Sequence, residues 1–178
     1  MMHKLYENLG KIIPLGEMTL QRANLAFITL DRRYLRSALH HLRDNEGYSH
    51  LVLLTAVDWI EEDVFQLTYL LSNRTADVDV GLRVMLPREN ASMDSIHDIW
   101  PTAATYQREL REMFGIDFPN SPRVNEEFIL EGWQEIPPYR RDFDTKKYSE
   151  ENFAHREGRV TKDPASHMKE LLYPDRGQ

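Results

Sequence analysis

Two neighbouring runs of strict alternation constrain this chain more than any other feature. Phe65, Leu67, Tyr69 and Leu71 alternate with Gln66, Thr68 and Leu70. A short polar break follows, and then Val78, Val80, Leu82, Val84 and Leu86 alternate with Asp79, Gly81, Arg83 and Met85. A period of two is that of a strand with one apolar and one wetter face. A short connection between two such strands favours antiparallel pairing. Just upstream, residues 51–59 form a nearly continuous apolar run, as in a strand covered on both faces. Glu61-Glu62-Asp63 then reads as a polar turn. The three strands make a meander whose apolar side needs a cover.

Helical patterns on either side can supply that cover. Leu5, Leu9, Ile12 and Ile13 mark a short helix over residues 4–13, ended by Pro14 and Gly16. Residues 19–30 read as one strand. Asp31 is a good helix N-cap. Tyr34, Leu35, Ala38, Leu39 and Leu42 then fall on one helical stripe, with Gly47 as its stop. Residues 92–100 read as a short helix broken by Pro101. A second helix carries Ala103, Tyr106, Leu110 and Met113 on one stripe and ends at Gly115. The expected order is β-α-β-β-β-α. This is an α+β fold, an antiparallel sheet with helices on one face, over residues 1–118. Pro119, Pro122, Pro137 and Pro138 make residues 119–178 an extended arm that docks on partners. The arm's apolar groups, among them Phe128, Ile129, Trp133 and Tyr139, have too little surface of their own to bury against. Residues 145–178 hold seven basic and six acidic groups with few apolar ones, and would be poorly ordered alone. A helical turn is expected at residues 167–173.

Composition excludes several classes. Against 22 Lys plus Arg stand 29 Asp plus Glu, a net charge of −7. That sign disfavours nucleic acid as a partner. The chain has no cysteine, which removes disulfides, thiolate-bound zinc and cysteine-held iron–sulfur clusters from it. The longest apolar stretches are far short of the roughly 20 residues of a membrane span. No secretory signal is visible, so cytosol, or the cytosolic face of something larger, is the default location. Phosphate-cradling glycine motifs, a nucleophile elbow and metal-ligand histidine spacings are all missing. The dense stretch Gln107 to Glu112 reads, by itself, as a solvated helix face laced with weak ion pairs.

That same stretch carries a resemblance. Trp100-Pro-Thr-Ala-Ala-Thr-Tyr-Gln-Arg-Glu-Leu-Arg-Glu-Met-Phe-Gly-Ile-Asp-Phe118 resembles the W-x-x-A-x-W-x-E-R-E-x-x-D-M-F-G-I-x-F signature of the 30 kDa subunit of NADH:quinone oxidoreductase, respiratory complex I. Leu54-Thr-Ala-Val-Asp58 looks like the family's L-x-x-V-D strand, and Phe65 with Tyr69-Leu-Leu-Ser72 like its F-x-x-x-Y-x-L-x-S strand. Pro138-Tyr-Arg-Arg-Asp-Phe143 looks like the closing P-L-R-K-D-F element. Tyr106, Gln107 and Glu112 stand where the family usually has Trp, Glu and Asp. The family includes subunits of cyanobacterial-type dehydrogenases and of membrane-bound NiFe hydrogenases.

The resemblance implies a peripheral-arm subunit on the cytoplasmic face of a membrane complex, with no cofactor of its own. Iron–sulfur clusters and quinone, or a NiFe site, would lie in partner subunits. The implied partners are those cluster-bearing and quinone-site, or hydrogenase-like, subunits. Arg108, Glu109, Glu112, Phe114, Arg140, Arg141 and Asp142 are then the expected interface residues. Alternatives are a subunit of a NiFe hydrogenase or ferredoxin-dependent complex, a free-standing enzyme using His97, Asp98 and Glu109, or a binding module acting through residues 119–178.

Overall fold

A computed structural model describes residues 2–153. Its elements, in chain order, are α1 (Met2–Gly10), β1 (Met18–Arg22), β2 (Leu25–Thr29), α2 (Leu35–Asn45), β3 (His50–Trp59), β4 (Val64–Asn73), β5 (Val78–Pro87), α3 (Ala103–Phe114) and α4 (Thr145–Asn152). The chain divides into two compact units, the first ending at Phe143 and the second starting at Asp144. In the second unit, Asp144 caps α4 by accepting from the Lys147 N–H at 2.9 Å. The polar composition of that segment hid this helix. The turn expected at residues 167–173 lies outside the described residues.

The five strands lie in the order β1-β2-β5-β4-β3. β3, β4 and β5 form the expected antiparallel meander. On β4 and β5 the alternating residues Phe65, Leu67, Tyr69, Leu71, Val80, Leu82, Val84 and Leu86 are wholly buried. They face α1, α2 and α3, and all these elements share one apolar core. The other sheet face is wetter, with Val57, Trp59 and Met85 about 40% exposed.

Three details differ from the reading of the sequence. Residues 19–30 are not one strand but the antiparallel pair β1–β2, turning at Ala23 and Asn24. The α+β class holds, but the sheet is mixed: β2 runs parallel to β5. The reason is connectivity. After β2 the chain crosses through α2 to the far edge, and the returning meander ends beside β2. Residues 92–100 form turns rather than a helix. Their carbonyls are taken by side chains instead: Arg36 donates to the Ser95 carbonyl and Arg43 to that of Ile99. Pro101 adds its own penalty on the preceding residue.

Elsewhere the local signals act as read. Asp31 accepts from the Arg33 N–H at 2.9 Å, capping the helical turn that leads into α2. Gly115 ends α3 in the left-handed region, φ 78°, and its N–H returns to the Arg111 and Leu110 carbonyls.

Candidate functional site

Residues 119–143 belong to the first unit and run as a strap beside α3 and the end of the sheet. Directional contacts hold it there. Asp58 is the last core-facing residue of β3, and its side chain is 1% exposed. A carboxylate in that position must be fully partnered or it costs several kcal/mol. Its Oδ2 accepts from Arg88 Nη2 at 3.1 Å and from the Arg141 backbone N–H at 2.9 Å. Its Oδ1 lies 2.8 Å from Arg88 Nε. Arg88 also reaches Asp142 at 3.0 Å, and Asp142 accepts from Arg140 Nε and Nη2, both at 3.2 Å. Burial alone would raise the Asp142 carboxyl, but the hydrogen bonds from Arg140 and Arg88 outweigh it and hold the group below its ordinary value. At the exposed rim, Arg141 Nη1 donates to both Glu61 oxygens at 2.7 and 2.6 Å. Glu61's own backbone N–H and this guanidinium depress its carboxyl.

The helix contributes the second grip. Glu112 accepts from the Phe128 N–H at 2.6 Å and the Ile129 N–H at 2.9 Å, so one carboxylate holds two successive strap amides. The Arg108 guanidinium lies 5.2 Å over the Phe128 ring and 3.9 Å from Glu126. Phe114 is buried between Phe65 and Tyr139, edge-on to both, at centroid distances of 5.9 and 5.7 Å. The Tyr139 N–H donates to the Met113 carbonyl at 3.0 Å. The Glu109 side chain makes no hydrogen bond or ion pair among the described residues.

Of the seven residues expected at an interface, six therefore meet here, each tied to the strap or to the sheet end. Phe114 is covered from within the chain; Arg141 is half exposed. The reading of the sequence missed Asp58, Arg88 and Glu61 as members of this site. Asp58 carries a legible signal: it continues the buried parity of Leu54 and Ala56 on β3.

A buried polar cluster sits at the other end of α3. Gln107 is wholly buried, and its Oε1 accepts from the hydroxyls of Ser95 and Ser121, both at 2.7 Å. Ser95 Oγ also lies 2.9 Å from His97 Nδ1. Asp98 is not part of this cluster. It forms a bidentate pair with Arg36 at 2.6 and 3.0 Å, which holds its carboxyl at about 2. His97, Asp98 and Glu109 thus do not converge into an acid–base site. Among the described residues no group of three or more His, Asp or Glu is placed to hold a metal ion. No described helix is long and apolar enough to cross a membrane.

Comparison with known proteins bears directly on this arrangement. The chain is 34% identical over 127 residues to a NADH-quinone oxidoreductase subunit of Ruegeria pomeroyi, covering 69% of this chain and 61% of that protein. To the subunit of the same name from Erythrobacter litoralis it is 27% identical over 148 residues, covering 81% and 57%. It thus spans somewhat more than half the length of these curated relatives. The fold is also that of a chain in the membrane-bound sulfane sulfur reductase, an archaeal respiratory membrane complex. That match has a TM-score of 0.80 at 23% identity over 91% of this chain and 96% of that one, and the likeness is one of fold. The family model for the respiratory-chain NADH dehydrogenase 30 kDa subunit matches residues 28–149, which run from the end of β2 through α3 and the strap into α4. The match takes in most of the sheet, the glycine-capped helix and the strap, and this chain belongs to the 30 kDa subunit family of respiratory-chain NADH dehydrogenase.

Proposed function

We propose that this chain is a structural and assembly subunit, carrying no redox cofactor, in the peripheral arm of a membrane-bound complex of the NADH:quinone oxidoreductase type. It sits on the cytoplasmic face of the membrane. Iron–sulfur clusters and quinone belong to its partner subunits, and this chain supports electron transfer to quinone, coupled to ion translocation, by fixing their geometry. The strap is the surface that meets them. The observation that carries this reading is the way the strap is held. It is clamped through Asp58, Glu112 and Asp142, yet it keeps Ile129, Ile136 and Tyr139 at 66%, 44% and 59% exposure. Large apolar side chains fixed rigidly in water mark a surface made for another protein. In this reading Glu109 and Arg141 touch the partner, while Arg108, Glu112, Phe114, Arg140 and Asp142 shape the surface from beneath.

A second reading changes only the redox partners. The fold matches that of a chain in the sulfane sulfur reductase, an archaeal respiratory membrane complex, with a TM-score of 0.80. That supports a place in a related membrane complex with a different electron donor or acceptor, such as a hydrogenase or a ferredoxin-dependent enzyme.

The test is co-purification of the tagged full chain from membranes at native abundance. The native chain is expected to bring cluster-containing subunits with it. Ile136→Asp or Arg141→Ala should lower their recovery at least threefold, and more than any single substitution in residues 149–162, with the melting temperature of the isolated chain unchanged by more than a degree or two. Equal recovery from the two sets of variants, or substrate turnover by the chain alone, would overturn the reading.

A further inference from the structure

The outer face of the sheet carries an arrangement that the strap does not use. Phe27 on β2 lies opposite Gly81 on β5. A Cβ at Gly81 would stand 2.3 Å from the Phe27 ring, so only glycine lets that ring lie across the neighbouring strand. The Arg83 guanidinium stacks on the same ring, 4.0 Å from its centroid. Threonines flank it in register, Thr68 on β4 and Thr29 on β2. The Arg83 side chain has no hydrogen bond and no ion pair among the described residues, and its Nε is buried without an acceptor there. A guanidinium held flat on a ring with its Nε desolvated is poised to take a planar acceptor. One and two rows along the same face, Met85, Val57 and Trp59 expose 41%, 42% and 41% of their surface.

We infer that this face docks a segment of a second, different subunit, which sets an Asp or Glu carboxylate against Arg83 and apolar side chains on Val57, Trp59 and Met85. This deepens the assembly reading above and rests on it. Charge selects the occupant. A second copy of this chain, packed through the same face about a two-fold axis, would bring −7 toward −7. An anionic membrane is held by clusters of basic side chains, whereas the charges on this face are mixed, with Asp79 four residues from Arg83 on the same side of β5 and Arg22 in register with Leu25 at the β1 edge. A carboxylate, by contrast, matches the planar fork of the guanidinium.

The experiment uses the full chain in its native complex, with the photo-crosslinker benzoylphenylalanine placed at position 85 on the outer face or at position 139 on the strap. The position-85 probe is expected to cross-link a different subunit of the complex, through a peptide that contains Asp or Glu. Arg83→Gln should cut that yield at least fivefold while leaving the position-139 yield unchanged, and Arg83→Lys should retain part of it. The position-85 probe in the otherwise native chain decides the matter even if Arg83→Gln folds poorly. A silent position-85 probe beside a productive position-139 probe would overturn this inference and leave the assembly reading standing. So would cross-links from position 85 only to a second copy, to residues 144–178 of the same chain or to lipid, or an unchanged yield in a well-folded Arg83→Gln. Silence at both positions would overturn both readings.

Discussion

On the inner face of the sheet, Leu67, Leu71, Leu82 and Leu86 are wholly buried and held by area alone. Each is worth about 1.5–3 kcal/mol, without regard to the direction of any one contact. At the end of the same sheet, the strap is held by direction. Three carboxylates, Asp58, Glu112 and Asp142, each take more than one donor, and most of those donors lie far away in the chain. Such contacts gain little net energy, because desolvation offsets much of the attraction, but they cost a great deal when half of a pair is removed. The first region therefore sets whether the chain folds, and the second sets where one segment lies once it has folded.

Single substitutions can separate these two roles. Leu82→Ala is expected to cost about 2–5 kcal/mol through the cavity it leaves, lowering the whole unfolding transition. Asp58→Ala should cost about 3 kcal/mol, the low end for a broken buried pair because Arg88 keeps Asp142. Its distinguishing mark is local: hydrogen exchange at the Arg141 and Tyr139 amides should rise well before that of β4. Equal protection loss in the strap and in β4 would mean that the two regions are one cooperative unit.

Acid should act in the same sense. The Asp142 and Glu61 carboxyls are held below their ordinary values in the folded chain. Their contribution is therefore complete above the unfolded values, and fades as pH falls through the lower folded ones, that is, below about 4. Strap exchange should accelerate in that range while the β4 and β5 amides stay protected. A strap that loosens instead as pH rises from 6 to 9 would contradict the assignment.

The smallest effect belongs to Tyr69. Its ring fills the inner face, but its hydroxyl is buried with no hydrogen-bond partner among the described residues, and burial pushes the phenol well above its ordinary value. Tyr69→Phe should change stability by no more than about 0.5 kcal/mol, or raise it slightly, since it removes an unsatisfied group. A loss above 2 kcal/mol, read by chemical denaturation, would show a hidden polar role on a face described as purely apolar.

The same contrast explains what was legible in the sequence. Alternation at residues 65–71 and 78–86 disclosed β4, β5 and the inner face, because a period of two is local information. Asp31 and Gly115 disclosed helix ends for the same reason. The parallel pairing of β2 with β5 was not legible, because it depends on where the chain crosses rather than on either strand's own pattern. The clasp was harder still. Asp58 and the Arg141 amide are 83 positions apart, and no spacing rule joins them. The charged residues of the strap therefore read as an outward surface, although Asp142 also reaches inward to Arg88 and Arg140 to Asp142. Only the resemblance drew attention to that stretch, and it named the residues without naming their partners.

The grip of Glu112 on the amides of Phe128 and Ile129 has one more consequence. What is grasped is main chain, which every amino acid except proline can offer. Side chains at those two positions can therefore drift from one descendant to the next while the attachment survives, so recognition on the strap is free to be rewritten without the anchorage having to be reinvented.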